Sequence, residues 1–400
     1  MQGRRARETR TRILALVAAA IVTTGAVAAG SGSARVAAPQ WQTVPALGPA
    51  GIQFAFWAAG RLWVGNWGAS GAGRLVSGRV ANGRVTGWVT TNVSLGGFLP
   101  STYTVLGEYL VYANTGSGGP PDVKAARLLP NGKVTALADL GGAPPPQSTS
   151  ATHVAQLTDR VVVQTTFSVG GERQHPAGCC DANGTVVDWN SFLPYGASAN
   201  FGIDRHGRLW LAWSGRQGAA MVELDTATLK PRGKPVTAPG STYKIDEMVC
   251  AERCRLVIEG NYGDRRPTAS HFWSWAPGER SVTQIKLPVA LVPNTVPQLR
   301  GARDYRGRLV VAFEVPTKTG GTEMVLTRGD TRGGNMRVVR SIPIPYTLGP
   351  LRNPTYFYLA NWGPGSGWGV GAAFGPSAFA VAAQYEGGKA GTVRTAILPL

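Results

Sequence analysis

Two adjacent carboxylates, Asp246 and Glu247, are the residues of this chain best placed for chemistry. The apolar residues around them predict a strand, and side chains on a strand alternate between its two faces. One of the two carboxylates should therefore face the interior that the strand lines. A carboxylate there could bind a cation such as Ca²⁺ or serve as a general base. The alternative is an acid that lines a channel and is solvated by water.

His153 is the one histidine that the sequence places on a strand of the same kind. A single histidine is more often structural than catalytic. The other three, His175, His206 and His271, are far apart in the sequence and lack the spacing of metal ligands, which argues against a zinc site.

A polar loop contains an aromatic residue, an acid and two arginines: Tyr262, Asp264, Arg265 and Arg266. An arginine pair beside an aromatic ring could hold a carboxylate or a sugar acid through two parallel hydrogen bonds. A solvated loop with local ion pairs is the alternative.

Trp67 is one of two tryptophans close to loops, and both follow Asn and precede Gly. An exposed indole could stack on a sugar ring, whereas a buried one would pack inside the fold.

Tyr356, together with Arg265, Arg300 and Glu247, could fill the roles that a sialidase requires, although nothing in the spacing of these residues compels that function. Nucleophile elbows, phosphate loops and dinucleotide fingerprints are absent from the sequence.

The elements that must position these residues form an internal repeat of roughly fifty residues. Each copy has a short turn, usually an arginine, and then at least three apolar residues. A short strand precedes each copy, and a third strand, a tight turn and a fourth strand follow it. The copies begin at Arg61, Tyr109, Arg160, Arg208, Arg255 and Arg308, with a degenerate seventh at Gly367–Val370.

Four antiparallel strands at this period are typical of one propeller blade. The sequence therefore predicts an all-β chain folded as a seven-bladed β-propeller, with residues 41–400 as a single domain. A pair of β-sandwiches, or a ring of six or eight blades, is the alternative. Asn-Gly pairs at Asn82, Asn131 and Asn183 predict type I′ hairpins between third and fourth strands. Trp41–Leu47 could add a strand beside Val393–Leu398 and close the ring.

The N-terminus has the layout of an export signal. Residues 1–12 are basic, residues 13–29 are apolar, and small residues follow. We expect residues 1–29 to be a signal peptide or, if uncleaved, a membrane anchor, and residues 30–40 to be a linker. The mature protein should be secreted or associated with the cell envelope, and monomeric, with membrane attachment only if the segment stays uncleaved.

The formal net charge of +18 favours attraction of polyanions. The basic residues are scattered, so the charge could equally be a general surface property, and we expect no sequence-specific binding of nucleic acid. No cofactor is evident from the sequence, and Ca²⁺ is the one candidate.

Four cysteines in an exported chain suggest two disulfides. Cys250 and Cys254 flank a predicted turn and can pair easily. Cys179 and Cys180 lie in a different repeat, so they form either a vicinal disulfide or a free pair.

The segment Asp204–Trp210 resembles the Asp-x-x-Gly-x-Leu-Trp signature of the NHL, gluconolactonase-like and streptogramin-lyase-like propellers, and Asp304–Val310 is a weaker copy. In those families the acid and the glycine form a turn, and the tryptophan packs between blades. The lyase's catalytic pattern and the lactonase's metal ligands are not visible, so the resemblance implies the fold alone.

Together these features favour an exported propeller that binds a protein, a glycan or an anionic cell-envelope polymer through its loop face. The alternative is an enzyme, a hydrolase or lyase that acts on a carbohydrate or a lactone through channel carboxylates and could use Ca²⁺. A structural part of the cell envelope is a third interpretation.

Overall fold

The computed structural model consists of strands and turns, and no helix occurs among the residues that it describes. In that part of the chain, no helical segment has the length and apolarity needed to cross a membrane. The predicted signal segment and residues 30–38 of the linker lie outside it. The described residues are 39–45, 47, 52–67, 73–91, 103–106, 108–114, 122–135, 138–139, 149–156, 161–169, 173–179, 187–188, 193, 198–215, 218–240, 243–260, 272–292, 297–318, 321–344, 366–368, 370–385 and 392–400.

Within these residues the strands form seven antiparallel sheets, which we number 1 to 7 along the chain. The first strands of the sheets are β2 (Ile52–Ala58), β6 (Tyr103–Leu106), β10 (Thr149–Gln156), β14 (Ser198–Ile203), β18 (Tyr243–Cys250), β22 (Gln298–Asp304) and β27 (Val370–Phe374). The second strands are β3 (Arg61–Trp67), β7 (Tyr109–Asn114), β11 (Val161–Val169), β15 (Leu209–Gly215), β19 (Cys254–Gly260), β23 (Leu309–Pro316) and β28 (Ala378–Tyr385).

The outer half of each sheet is less regular, because several fourth strands have only two residues. The third strands are β4 (Gly73–Ala81), β8 (Asp122–Arg127), β12 (Arg173–Cys179), β16 (Gly218–Leu224), β20 (Phe272–Trp275), β24 (Thr322–Arg328) and β29 (Thr392–Pro399). The fourth strands are β5 (Arg84–Thr90), β9 (Ala138–Asp139), β13 (Val187–Asp188), β17 (Val236–Thr237), β21 (Thr283–Gln284), β25 (Arg337–Pro343) and, in sheet 7, β1 (Gln42–Thr43).

Neighbouring sheets touch through their first strands. Strand β2 contacts β6, β6 contacts β10, and the series continues through β14, β18 and β22 to β27, which contacts β2. These contacts confirm the predicted all-β architecture of four-stranded antiparallel sheets set side by side as blades.

Apolar burial between sheets explains why the second strands are almost continuously hydrophobic. Strand β23 is buried at every position. One face of it packs in a cluster with Phe272 of sheet 5, and the other in a cluster with Phe379 of sheet 7. A strand covered on both faces has no need for polar alternation. Each fully buried leucine or phenylalanine contributes roughly 1.5–3 kcal/mol to the free energy of unfolding.

In sheets 1 and 5 the arginine that begins the repeat is buried. Arg61 is 3% exposed and donates to Ser77 Oγ at 3.0 Å and to the Gly87 carbonyl at 2.6 Å. Its Nη1 also reaches the Pro130 carbonyl of sheet 2 at 3.3 Å. In sheet 5, Arg255 occupies the same position and donates to Ser274 Oγ at 3.2 Å. The arginine thus ties one sheet internally and, in sheet 1, also to the next.

The N-terminal strand β1 pairs with sheet 7, as the sequence predicted, and neighbouring residues also contact sheets 1 and 6. In sheet 7, Thr43 pairs with Arg394, and the Val44 amide donates to the Val393 carbonyl at 2.8 Å. The Gln42 side chain accepts from the Val85 amide of sheet 1 at 2.7 Å. The third contact is with sheet 6, where the Trp41 indole donates to the Pro343 carbonyl at 2.8 Å.

The predicted seventh copy of the repeat was wrong in register. Part of it, β26 (Ser366–Trp368), pairs with β2 as an extra edge strand of sheet 1, and β28 is the second strand of sheet 7. Strand β27 instead packs closely against β2, since a Cβ on Gly371 would lie 2.7 Å from the Phe54 Cα. The strand predicted at Tyr356–Ala360 lies outside the described residues.

The Asn-Gly turns differ from one another. Asn82 and Gly83 have φ values of 51° and 73°, which confirms the predicted type I′ turn. At the second pair only Gly132 has a positive φ, 85°, so the type I′ prediction was wrong there. Leu129 and Lys133 instead close a longer turn with a 2.9 Å hydrogen bond. The pair at Asn183 lies outside the described residues.

We predict that Trp41→Ala lowers the free energy of unfolding by about 1–3 kcal/mol, because it removes a partly buried ring and its hydrogen bond to sheet 6. Chemical denaturation followed by circular dichroism measures the change. Val338→Ala, at an exposed position of β25, is the matched control and should leave the midpoint unchanged. Equal midpoints for Trp41→Ala and the wild type would show that the contacts of Trp41 do not stabilise the fold.

Candidate functional site

Asp246 and Glu247 lie in the first strand of sheet 5, where the sequence placed them. Ile245 pairs with Ile258 and Glu247 pairs with Val257, so Asp246 is the extra residue of a β-bulge. A bulge interrupts the alternation of a strand and re-aims its side chains. The prediction that one of the two carboxylates points inward relied on simple alternation along the strand. The bulge interrupts that alternation, so the prediction is corrected here. The Asp246 atom Oδ2 is buried.

The neighbours of the pair show which sheets enclose it. Ile245 packs in a cluster with residues of sheet 4, and Val249 packs in a cluster with residues of sheet 6. Glu247 has the same parity as Val249, so it lies on the face of β18 that looks toward sheet 6. The carboxylates thus sit where three successive sheets meet.

Enclosure changes the proton affinity of Glu247. Burial raises its pKa, the neighbouring charge of Asp246 raises it further, and the Met248 backbone N–H opposes both, with a net rise from 4.5 to about 8. Glu247 still keeps partial contact with solvent. At neutral pH it is therefore a carboxylic acid that can both donate and accept a hydrogen bond.

Sheet 6 carries a buried ion pair next to this region that sequence reasoning missed. Arg300 is the bulge residue of β22. Its Nε and Nη2 donate to Glu314 Oε2 at 2.8 and 2.5 Å, and both side chains are at least 95% buried. The available signal was Glu314 itself, a single acid in the otherwise apolar strand β23. The pair holds the bulged backbone of β22 against its own second strand.

The remaining predicted site residues are distributed as follows. His153 lies on β10 opposite Gln164, beside another bulge, which confirms its place on a first strand two sheets from β18. Trp67 ends β3 opposite Ile52. The other predicted residues, which are Tyr262, Asp264, Arg265, Arg266 and Tyr356, lie outside the described residues.

The disulfide between Cys250 and Cys254 forms as predicted and closes the turn after β18. Gly202 of sheet 4 makes room for it, because a Cβ there would lie 2.5 Å from the Cys250 sulfur. Cys179 ends β12 and Cys180 lies outside the described residues, so their pairing stays a prediction.

In the part of the chain that the structure describes, no three His, Cys, Asp or Glu residues are grouped closely enough to hold a metal ion. A Ca²⁺ site at Asp246 and Glu247 would need further ligands from elsewhere, and it stays a prediction.

A second polar feature lies at the turns between first and second strands. An open depression of about 500 Å³ is bordered by these turns in sheets 4, 5 and 6, and its lining includes Asp204, Arg205, Glu252 and Asp304. Sequence reasoning missed it, because each turn looks like an isolated surface loop until the sheets are placed side by side.

Asp204 organises the first of these turns. Its side chain accepts from Arg208 Nε at 2.8 Å, from Trp210 Nε1 at 3.1 Å and from the backbone N–H of His206 at 2.9 Å. Burial alone would raise its pKa, but these hydrogen bonds outweigh burial and hold the pKa below its ordinary value. The acid of the propeller signature therefore forms the turn, as the resemblance implied.

No family model matches the chain, and no curated protein matches it. Among solved structures, puromycin hydrolase aligns with 85% of this chain and 50% of its own length, at 12% identity and a TM-score of 0.51. The periplasmic gluconolactonase PpgL of Pseudomonas aeruginosa aligns with 74% of this chain and 86% of its own, at 14% identity and a TM-score of 0.46. AztD of Citrobacter koseri aligns with 84% and 80%, at 13% identity and a TM-score of 0.46.

These likenesses show the fold alone, a β-propeller. They assign no activity to this chain.

We predict that Glu247 makes folding stability fall as pH rises between about 4.5 and 8. The folded state keeps the proton in that window and the unfolded state has lost it, so the stability is fully present below about pH 4.5 and lost above about pH 8. The slope from this group approaches about 1.4 kcal/mol per pH unit. Urea unfolding of the wild type and of Glu247→Gln measures the difference.

Glu247→Gln imitates the neutral acid, so its stability should lack this slope, while Glu252→Gln, at an exposed turn position, should keep it. Parallel curves for the wild type and Glu247→Gln across this window would show that the carboxyl is ionised in the folded protein.

Proposed function

We propose that this protein is an extracytoplasmic, seven-bladed β-propeller that acts as a binding module for a protein, a glycan or an anionic cell-envelope polymer. Seven described sheets support the blade number, since their first strands contact one another in chain order and the seventh contacts the first. The strand β1 completes sheet 7 and so joins the first described strand to the last, β29.

Two features support export. The first 29 residues have the layout of a signal peptide, and Cys250 and Cys254 form a disulfide. Disulfides form and persist mainly in oxidising compartments outside the cytosol. We therefore assign residues 1–29 to the signal segment and residues 41–400 to one propeller domain.

The observation that carries the binding proposal is Glu247, a carboxyl group with a pKa of about 8 on a first strand, next to Asp246. An acid at such a position is destabilising when charged, and strongly perturbed pKa values concentrate at functional sites. A neutral carboxyl beside a second acid can donate one hydrogen bond and accept several. Among the three ligand classes this set suits a glycan best, because sugar hydroxyl groups also donate and accept.

A second candidate function rests on the same pKa. An acid that holds its proton at neutral pH can protonate the leaving oxygen of a glycoside or a lactone, so Glu247 could serve as the general acid of a hydrolase or lyase. In this interpretation Asp246 would supply negative charge to a developing cation or, with further ligands, hold Ca²⁺. Such activity should decline above about pH 8, where Glu247 loses its proton.

We predict that a panel of neutral sugars, sugar acids, Ca²⁺ and polyanions contains a ligand that raises the melting temperature of the protein. A ligand that binds only the folded state adds about 2.7 kcal/mol of stability at 100 times its Kd. Differential scanning fluorimetry measures the shift. A panel without any shift would contradict a small-ligand site and favour a protein partner.

The double variant Asp246→Asn/Glu247→Gln separates the two functions. A binding module should lose the sugar-induced shift and show no turnover before or after the change. An enzyme should lose turnover while the fold persists. Glu252→Gln/Glu323→Gln is the matched control, and it should keep both properties, because neither residue lies on a first strand.

A further inference from the structure

Sheet 6 has a row of arginines on the face that looks toward sheet 7. Val310 of β23 marks this face, because it packs in a cluster with Phe379 of sheet 7. Arg303 of β22 and Arg328 of β24 both pair with Val310. Arg337 of β25 pairs in turn with Arg328. Residues directly opposite one another on paired strands share a face of the sheet, so the three arginines lie on the face toward sheet 7.

A fourth arginine approaches the row from the turn between β22 and β23. The guanidinium carbons of Arg306 and Arg328 lie 5.2 and 5.8 Å from the centre of the Tyr305 ring, so the two groups share one aromatic neighbour. Arg306 has a φ of 55°, a conformation that favours Asn or Gly, so the geometry of the turn does not itself select an arginine. We call Arg306, Arg328 and Arg337 the arginine cluster.

Four acids belong to the described part of sheet 6, and two of them lie on its opposite face. Asp304 pairs with Leu309, and Glu323 pairs with Val315. Leu309 and Val315 pack in the cluster that includes residues of sheet 5. Neither carboxylate therefore shares a face with the arginine row.

The other two acids of sheet 6 are already engaged. Glu314 accepts two hydrogen bonds from Arg300. Asp330 accepts from the backbone N–H groups of Arg332 and Gly334 in its own turn, both at 2.9 Å. The described residues of sheet 7 include no Asp or Glu. Within the ranges that the structure describes, no ion pair joins the arginine cluster to a carboxylate.

The cluster is unfavourable for the folded protein when no anion is bound to it. Arg328 and Arg337 are like charges directly opposite each other on paired strands, and such pairs destabilise a sheet. The Arg328 Nε is buried and has no acceptor among the described residues, which costs further free energy. Arg306 and Arg337 are exposed, so a ligand can reach them from solvent. A bound anion would supply both the acceptor and the opposite charge.

The geometry points to the arginine cluster as a binding site for a phosphate dianion, either inorganic phosphate or a phosphate monoester. Planar guanidinium groups bind phosphate oxygens through paired hydrogen bonds. A phosphate dianion has more negative charge and more acceptor oxygens than a carboxylate, so it suits three guanidinium groups better. Arginine clusters are a recurring protein partner of phosphoryl groups.

This site does not depend on the proposed function. Glu247 lies on the face of β18 that looks toward sheet 6, whereas the arginine cluster belongs to the side of sheet 6 that looks toward sheet 7. A ligand could therefore occupy either place while the other stays free.

The test follows the melting temperature of the full chain by differential scanning fluorimetry as inorganic phosphate is added at constant ionic strength. We expect a saturable rise for the wild type, because phosphate should bind the folded state. The variant Arg306→Gln/Arg337→Gln should bind phosphate at least about tenfold more weakly, since it loses two charge-assisted contacts. Without phosphate the same variant should melt at a higher temperature than the wild type, because the like-charge pair is gone.

The matched control is Arg84→Gln/Arg280→Gln, which removes two exposed arginines from sheets 1 and 5 and should keep the wild-type response. Phosphate also stabilises proteins in general, because it is excluded from their surface. The same phosphate response in the wild type, the control and Arg306→Gln/Arg337→Gln would therefore overturn the proposal. Equal losses in the two variants would also overturn it, since they would reflect net charge alone. A lower melting temperature of Arg306→Gln/Arg337→Gln without phosphate would contradict a cluster that lacks a countercharge.

Two further probes identify the ligand. Tighter binding of glycerol 3-phosphate than of inorganic phosphate would support a monoester, and the reverse order would support phosphate itself. A response to acetate as strong as the response to phosphate would overturn the assignment to a phosphate dianion and favour a carboxylate.

Discussion

The whole structure depends on the burial of apolar strands between neighbouring sheets. A sheet of four short strands cannot cover both of its own faces, so each one needs a sheet on either side. The clusters around Val311 and Val310 show this directly, since the two faces of one strand pack against different sheets. Arg61 adds a polar constraint, because its guanidinium satisfies carbonyl groups of sheet 1 and of sheet 2. Trp41 follows the same principle, because its partly buried ring packs against apolar residues of sheets 6 and 7.

That packing also creates the chemistry of the candidate site. A carboxyl on an outer strand would be hydrated and ionised. On β18, with sheets 4 and 6 on its two sides, Glu247 loses much of its hydration and gains a neighbouring charge. The adjacent acids Asp246 and Glu247 both lie at this enclosed point, where β18 has its bulge. The same enclosure tolerates the Arg300–Glu314 pair because two charge-assisted hydrogen bonds compensate for its desolvation.

Much of the architecture could be predicted from the sequence because repetition is a local signal. The recurring arginine and apolar run located six second strands, and Cys250 and Cys254 could be paired from their spacing. Sheet 7 was misread because its second strand is rich in alanine and follows a Pro-Ser turn, whereas the glycines before it looked like a strand start. The bulges, the Arg300–Glu314 pair and the depression between the turns of sheets 4, 5 and 6 depend on contacts between distant segments. Such contacts leave no period in a single sequence.

The most direct test of the account is a titration of the Glu247 carboxyl by NMR, with ¹³C-labelled glutamate and assignment through Glu247→Gln. If β18 is enclosed between packed sheets, the carboxyl carbon should titrate with a midpoint near 8. A midpoint near the ordinary value of 4.5 would show that water reaches the acid freely, and it would contradict both the packing around β18 and the site built on it.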